Sequence, residues 1–110
     1  MGKYDLDRIK HLATQFRHAC EEYTAYPFCF FPEGLCGCTS EMLECYLAEN
    51  GVPSLTHVWG ENPDSEETHA WTRIRDDLII DITLDQFSKS FPPVYIGKPL
   101  AIHKEFSILE

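Results

Sequence analysis

The stretch FPEGLCGCTSEML places Cys36 and Cys38 one residue apart, with Gly34 and Gly37 beside them, where a helix is expected to begin. A cysteine attacks as the thiolate, and a helix start favours that form through unpaired N–H groups and the positive end of the dipole. Cys36 stands at that start, and its own N–H is placed to help hold an oxyanion. No Lys or Arg lies between Arg17 and Arg73, so the cationic partner of such a thiolate has to be a histidine. Of the five histidines, His69 opens a strand directly after an acidic loop, and the next strand, LIIDIT, carries Asp81 in an apolar run. A buried carboxylate needs a partner, and a histidine that it orients is the economical one. The alternative is that Asp81 only caps the following TLDQF turn.

Strand geometry makes the pairing of His69 with Asp81 conditional. If HAWTRIR and LIIDIT form a hairpin, a regular two-residue turn puts the two side chains on opposite faces of the sheet. An odd loop or a bulge instead sets Asp81 opposite Trp71 and diagonal to His69, roughly 7 to 8 Å away at the backbone and within side-chain reach. The triad therefore requires an irregular hairpin.

Other uses of the cysteines fit less well. Structural zinc sites pair cysteines two to four residues apart in tight knuckles, whereas the close pair here has one intervening residue and the outer spacings are six. A Cys36–Cys38 disulfide is poorly served by helix-start geometry. Five cysteines is an odd number, and most are expected as reduced thiols, with Cys20 a small buried hydrophobe and Cys29 lining the core or a cleft. No metal or cofactor is expected. His57 in LTHVWG is a rival base without a following strand that carries a buried acid. His11 and His18 are expected to face solvent, and nothing local supports a role for His103. Gln86 and Phe87 read as turn and packing, and Trp59 and Trp71 as core.

The elements that must position these residues follow from periodicity. Leu6, Ile9, Leu12, Ala13, Phe16, Ala19, Cys20 and Tyr23 form one helical stripe with Asp5 as N-cap. AYPFCFFPEG breaks that helix into an extended aromatic segment. A second helix runs from near Cys36 to the ENG stop, burying Thr39, Met42, Leu43, Tyr46 and Leu47 and leaving Glu41, Glu44 and Glu49 to water. Cys45 falls at the edge of that stripe. The period then changes to two, with SLTHVW, HAWTRIR, LIIDIT and PVYIG as strands. Helices followed by antiparallel strands give an α+β fold, and 110 residues suit a single domain spanning 1–110.

Charge narrows the partners. The net charge is -9, and the stretch without Lys or Arg holds ten acids, including ENPDSEE, a surface that repels phosphate backbones. Nucleic acid is therefore not an expected partner. No apolar run approaches the ~20 residues of a membrane span, and the charged MGKYDLDRIK is unlike a signal peptide, so a cytoplasmic location is expected.

The ordered set FPEGLCGCTSEMLECYLAENG, HAWTRI, LIIDITLDQF and PPVYIG resembles bacterial transglutaminase-like or papain-like cysteine hydrolases, from about Phe30 to Gly97. The resemblance implies a papain-like or transglutaminase-like core in which N-terminal helices pack on a small antiparallel sheet. It makes Cys36 the nucleophile, His69 the general base and acid, and Asp81 the orienter of His69. It implies acyl transfer on amide bonds through a thioester, as a peptidase, amidase, glutamine deamidase or transamidase. Cys38 departs from the small polar or acidic residue usual in similar sequences, and the papain-type Gln ahead of the nucleophile is absent. The acidic surroundings favour a neutral or cationic protein or peptide substrate. The other readings are a non-catalytic adaptor of the same fold and a delivered toxin domain with a cognate neutralising partner.

Overall fold

A computed structural model describes residues 5–23, 36–52, 54–75 and 77–108, with the side chain of Cys36 outside that set. The expected aromatic segment around Cys29 also lies outside the described residues. Helix α1 spans Leu6–Glu22, and the Asp5 carboxylate accepts the Arg8 N–H at 3.1 Å, the expected N-cap. Helix α2 spans Cys36–Glu49 and stops at Gly51, whose φ of 88° lies in the left-handed region that a side chain disfavours.

Five strands follow: β1 Thr56–Glu61, β2 Thr68–Arg75, β3 Leu78–Asp81, β4 Tyr95–Gly97 and β5 Ser107–Ile108. They form one sheet in the order β4-β3-β2-β1-β5, with every neighbouring pair antiparallel. The four expected strands are present, and β5 is an addition: two residues carry no readable alternation. Among the described residues, the chain is thus an α+β fold of two helices and a five-stranded antiparallel sheet.

Both faces of the sheet are covered. On one, Ile74, Ile80 and Ile82 pack with Ile9, Leu12 and Ala13 of α1 and Leu43 and Leu47 of α2. On the other, Val58, Trp71 and Ile79 pack under Phe106, flanked by Phe87, Tyr95 and Ile102. Glu44 of α2, expected to face water, is half-buried because its Oε2 accepts the Thr72 hydroxyl at 2.7 Å and lies 3.0 Å from His57 Nδ1. Met42, expected in the core, is 43% exposed and lines a surface pocket with Phe16, Ala19, Cys20 and Tyr23.

The β2–β3 hairpin is irregular in the way that the pairing of His69 with Asp81 requires. Arg75 pairs with Leu78 across two intervening residues, yet the next pairs are Arg73 with Ile79 and Thr72 with Ile80, with a register shift between Arg73 and Arg75. Ile74 is the extra residue of a bulge. Without it, the ladder from Arg75 and Leu78 would run on to Thr72 opposite Asp81, turning Asp81 toward the helices. With it, the ladder continues to Trp71 opposite Asp81, and Ile80 and Ile82 keep their core positions.

Arg17 ties α1 to the turn after β3. Only 6% exposed, it grips both Asp85 oxygens at 2.7 and 2.8 Å, donates to the Ile82 and Pro93 carbonyls at 2.8 and 3.0 Å, and meets Glu21 at 2.8 Å. A planar fork with five donors suits this set and a lysine does not. Arg17→Met is expected to lower unfolding free energy by about 3 kcal/mol in urea titrations, with Arg17→Lys recovering only part of it.

Candidate functional site

Asp81 ends β3 at 1% exposure, and its two oxygens have separate partners. Oδ1 accepts the Thr83 N–H at 3.0 Å, the turn-capping role open to it from sequence. Oδ2 lies 2.6 Å from His69 Nε2 and 2.9 Å from His103 Nε2. The bulge thus brings His69 and Asp81 onto one face and within hydrogen-bond reach, and a second imidazole joins them. Burial by itself would raise the Asp81 pKa; the bonds from His103 and His69, the charge of His69 and the Thr83 N–H outweigh it, holding the carboxyl below its usual range.

His69 is fully buried on the second residue of β2, opposite Gly60 of β1. A Cβ on Gly60 would stand 2.5 Å from the Ser107 carbonyl oxygen, so the absent side chain is what lets β5 pass so close. The His69 ring is packed by Phe87 at 4.8 Å edge-on, Trp71 at 5.4 Å and Phe106 at 5.6 Å between centroids. With the Nε2 proton directed at Asp81, Nδ1 is the lone-pair side, and the Gln86 amide nitrogen approaches it at 3.4 Å.

The three groups His69, Asp81 and His103 are also close enough together to suggest a metal site, their ligand atoms all lying within 4.8 Å. The hydrogen bonds speak against that use. His103 Nδ1 accepts the Leu100 N–H at 2.9 Å, so the proton sits on Nε2, and a protonated nitrogen has no lone pair for a metal.

A cleft of about 380 Å³ is lined by Gly37, Cys38 and Glu41 of α2 on one side and by His57, Trp59, Thr68, His69 and Ala70 of β1 and β2 on the other. Cys36 opens α2 one residue before this wall. Cys38 is exposed, its Sγ 3.8 Å from Met42 Sδ. Cys45 is an exposed free thiol, and Cys20 a buried one whose pKa burial pushes up to about 11. Trp59, read as core from sequence, is 42% exposed because its side of β1 faces the cleft. His57 has its acid after all, supplied by α2 through Glu44 at 3.0 Å instead of by a following strand. His11 and His18 are exposed as expected.

Sequence reasoning missed His103 and Gln86. Gln86 lies five residues beyond Asp81 on a short 3-10 turn, Leu84–Gln86, a spacing that could have been read as a return toward the same site. His103 is 22 residues from Asp81, on a second such turn, and no local pattern announces it. Comparison with protein-family models, with curated proteins and with solved structures returned no match.

Because the Asp81 pKa is lowered on folding, its contribution to stability is complete above the unfolded carboxylate value of about 4 and is lost as pH falls below it. Urea midpoints measured from neutral pH down to strongly acidic buffers are expected to fall through that window, and less steeply for Asp81→Asn. At neutral pH that variant is expected to be less stable by about 3 kcal/mol.

Proposed function

We propose that the chain is a cysteine-nucleophile hydrolase or acyl transferase acting on amide bonds, with Cys36 as nucleophile, His69 as base and acid, and Asp81 as the residue that orients His69. The observation that carries this reading is the buried 2.6 Å contact between His69 Nε2 and Asp81 Oδ2, on the wall of a cleft whose other wall begins one residue after Cys36. A histidine that gives its Nε2 proton to a fixed carboxylate presents Nδ1 as a base. The order of parts also supports a papain-like or transglutaminase-like core: a cysteine opens a helix, and a histidine and an aspartate follow on adjacent antiparallel strands.

In this mechanism His69 Nδ1 takes the Cys36 thiol proton and the thiolate attacks the amide carbonyl carbon. The N-terminal amides of α2 stabilise the resulting oxyanion. Collapse breaks the C–N bond, His69 returns the proton to the leaving amine, and a thioester remains. His69 then deprotonates water, or an acceptor amine, which attacks the thioester and releases the acyl product with Cys36 again a thiol. Since the nucleophile has to stay reduced, a reducing cytoplasmic setting belongs to the proposal.

The cleft favours a neutral or cationic peptide. Its described lining residues include Glu41 and no Lys or Arg, and the open face of Trp59 suits an alkyl or cationic side chain. Peptide amides bearing Lys or Arg near the scissile group are expected to be turned over roughly tenfold better than those bearing Glu, with the preference shrinking at high salt. Equal turnover of both sets at low salt would remove the charge argument.

Alkylation tests the nucleophile without a known substrate. With limiting iodoacetamide at neutral pH and peptide mapping by mass spectrometry, Cys36 is expected to label at least about tenfold faster than Cys38 or Cys45, and Cys20 slowest. His69→Gln should remove that advantage and His57→Gln should keep it. If Cys36 and Cys38 label at the same slow rate in the unaltered protein, the chain is no cysteine hydrolase, and the adaptor reading takes its place.

A further inference from the structure

We infer that His103 is a positioning residue for His69, supplying Asp81 with a second imidazole N–H and so dividing between two rings the pull of one carboxylate oxygen. This rests on the reading of His69 as the base. His103 is 2% exposed and lies outside the three residues assigned to the chemistry. Its tautomer is set from behind: the Leu100 N–H donates to Nδ1 at 2.9 Å, which places the ring proton on Nε2, 2.9 Å from Asp81 Oδ2. His69 Nε2 meets the same oxygen at 2.6 Å.

Two consequences follow from sharing one oxygen. Asp81 is held from two directions, so that its side chain cannot swing about the bond to His69; the His103 ring is itself wedged edge-on to Trp71 at 4.9 Å and stacked near Tyr95 at 6.2 Å. In addition, charge density drawn toward the His103 N–H is withdrawn from the His69 N–H, so Asp81 raises the basicity of His69 less than a singly bonded carboxylate would. His103 therefore tempers the base as well as placing it.

Among the described residues, the other titratable groups around His103 do not offer a competing partner. Asp81 on β3 is its carboxylate, and His69 on β2 stacks at 6.1 Å. Tyr95 on β4 gives its hydroxyl proton to the Lys98 carbonyl. Arg73 on β2 and Lys104 on the same turn line a shared pocket with His103, and both are cations. Glu105, also on its own turn, is exposed.

Two measurements test this. Long-range proton–nitrogen NMR of the imidazoles at neutral pH should show His103 with its proton on Nε2; a proton on Nδ1 would overturn the inference whether or not the chain is an enzyme. The second is the pH dependence of Cys36 alkylation in His103→Phe and His103→Gln. Without the second donor, Asp81 pulls harder on His69, His69 holds the proton taken from the thiol more tightly, and the alkaline limb of the profile, where that imidazolium is lost, is expected to move up by about one pH, a tenfold change in its proton affinity. Glutamine, whose amide reaches the Nε2 position, should restore the limb. A merely structural His103 would lower the amount of folded protein in both variants and leave the limb in place, which would refute the proposal. Slow, unselective labelling of Cys36 in the unaltered protein would instead strike the hydrolase reading and leave the NMR result to decide the role of His103 as a partner of Asp81.

Discussion

A carboxylate with 1% of its surface exposed has lost nearly all its water, and at Asp81 the molecule replaces that water completely. Two imidazole N–H groups and one backbone N–H converge on its two oxygens. Each comes from a different part of the chain: the start of β2, the turn after β3, and a 3-10 turn near the C-terminal end. An unpaired buried charge costs several kcal/mol, so the register of the hairpin and the seating of the C-terminal segment are bound to one another through this group.

The bulge at Ile74 shows how that demand is met without loss elsewhere. The helix-facing side of the hairpin needs Ile74, Leu78, Ile80 and Ile82 together, and the opposite side needs His69, Trp71, Ile79 and Asp81 together. A regular two-residue hairpin cannot satisfy both, because the residues before and after the turn would then fall out of step. One extra residue in β2 resolves the conflict. Arg17 performs a related task from the other layer, fastening α1 to the turn that follows Asp81, so that the segment bearing Gln86 is held at both ends.

The acidic character of the chain also divides by location. Glu44 is consumed inside the fold by Thr72 and His57, while Glu41 remains exposed on the cleft wall beside Trp59. The thiols divide likewise: Cys20 is withdrawn by burial on α1, and Cys38 and Cys45 are open to solvent on α2. Chemistry proposed for Cys36 rests on its place as the first residue of α2, where the helix start meets the cleft.

Much of the fold was legible in the sequence because it depends on local periodicity. The Asp5 cap, both helices, the stop at Gly51 and four strands each follow from spacings within a few residues. So did the pairing of His69 with Asp81, since strand parity converts a twelve-residue separation into a yes-or-no statement about the hairpin, and the need for an irregularity could be stated in advance. What tertiary structure alone decided are contacts between residues with no common period. The return of His103 to Asp81, the turning of Trp59 toward a cleft, the capture of Glu44 by two strands and the anchoring role of Arg17 all arise where layers meet. Side-chain type determines what each group needs when it is buried, but only the packing of distant segments determines which partner is there to supply it.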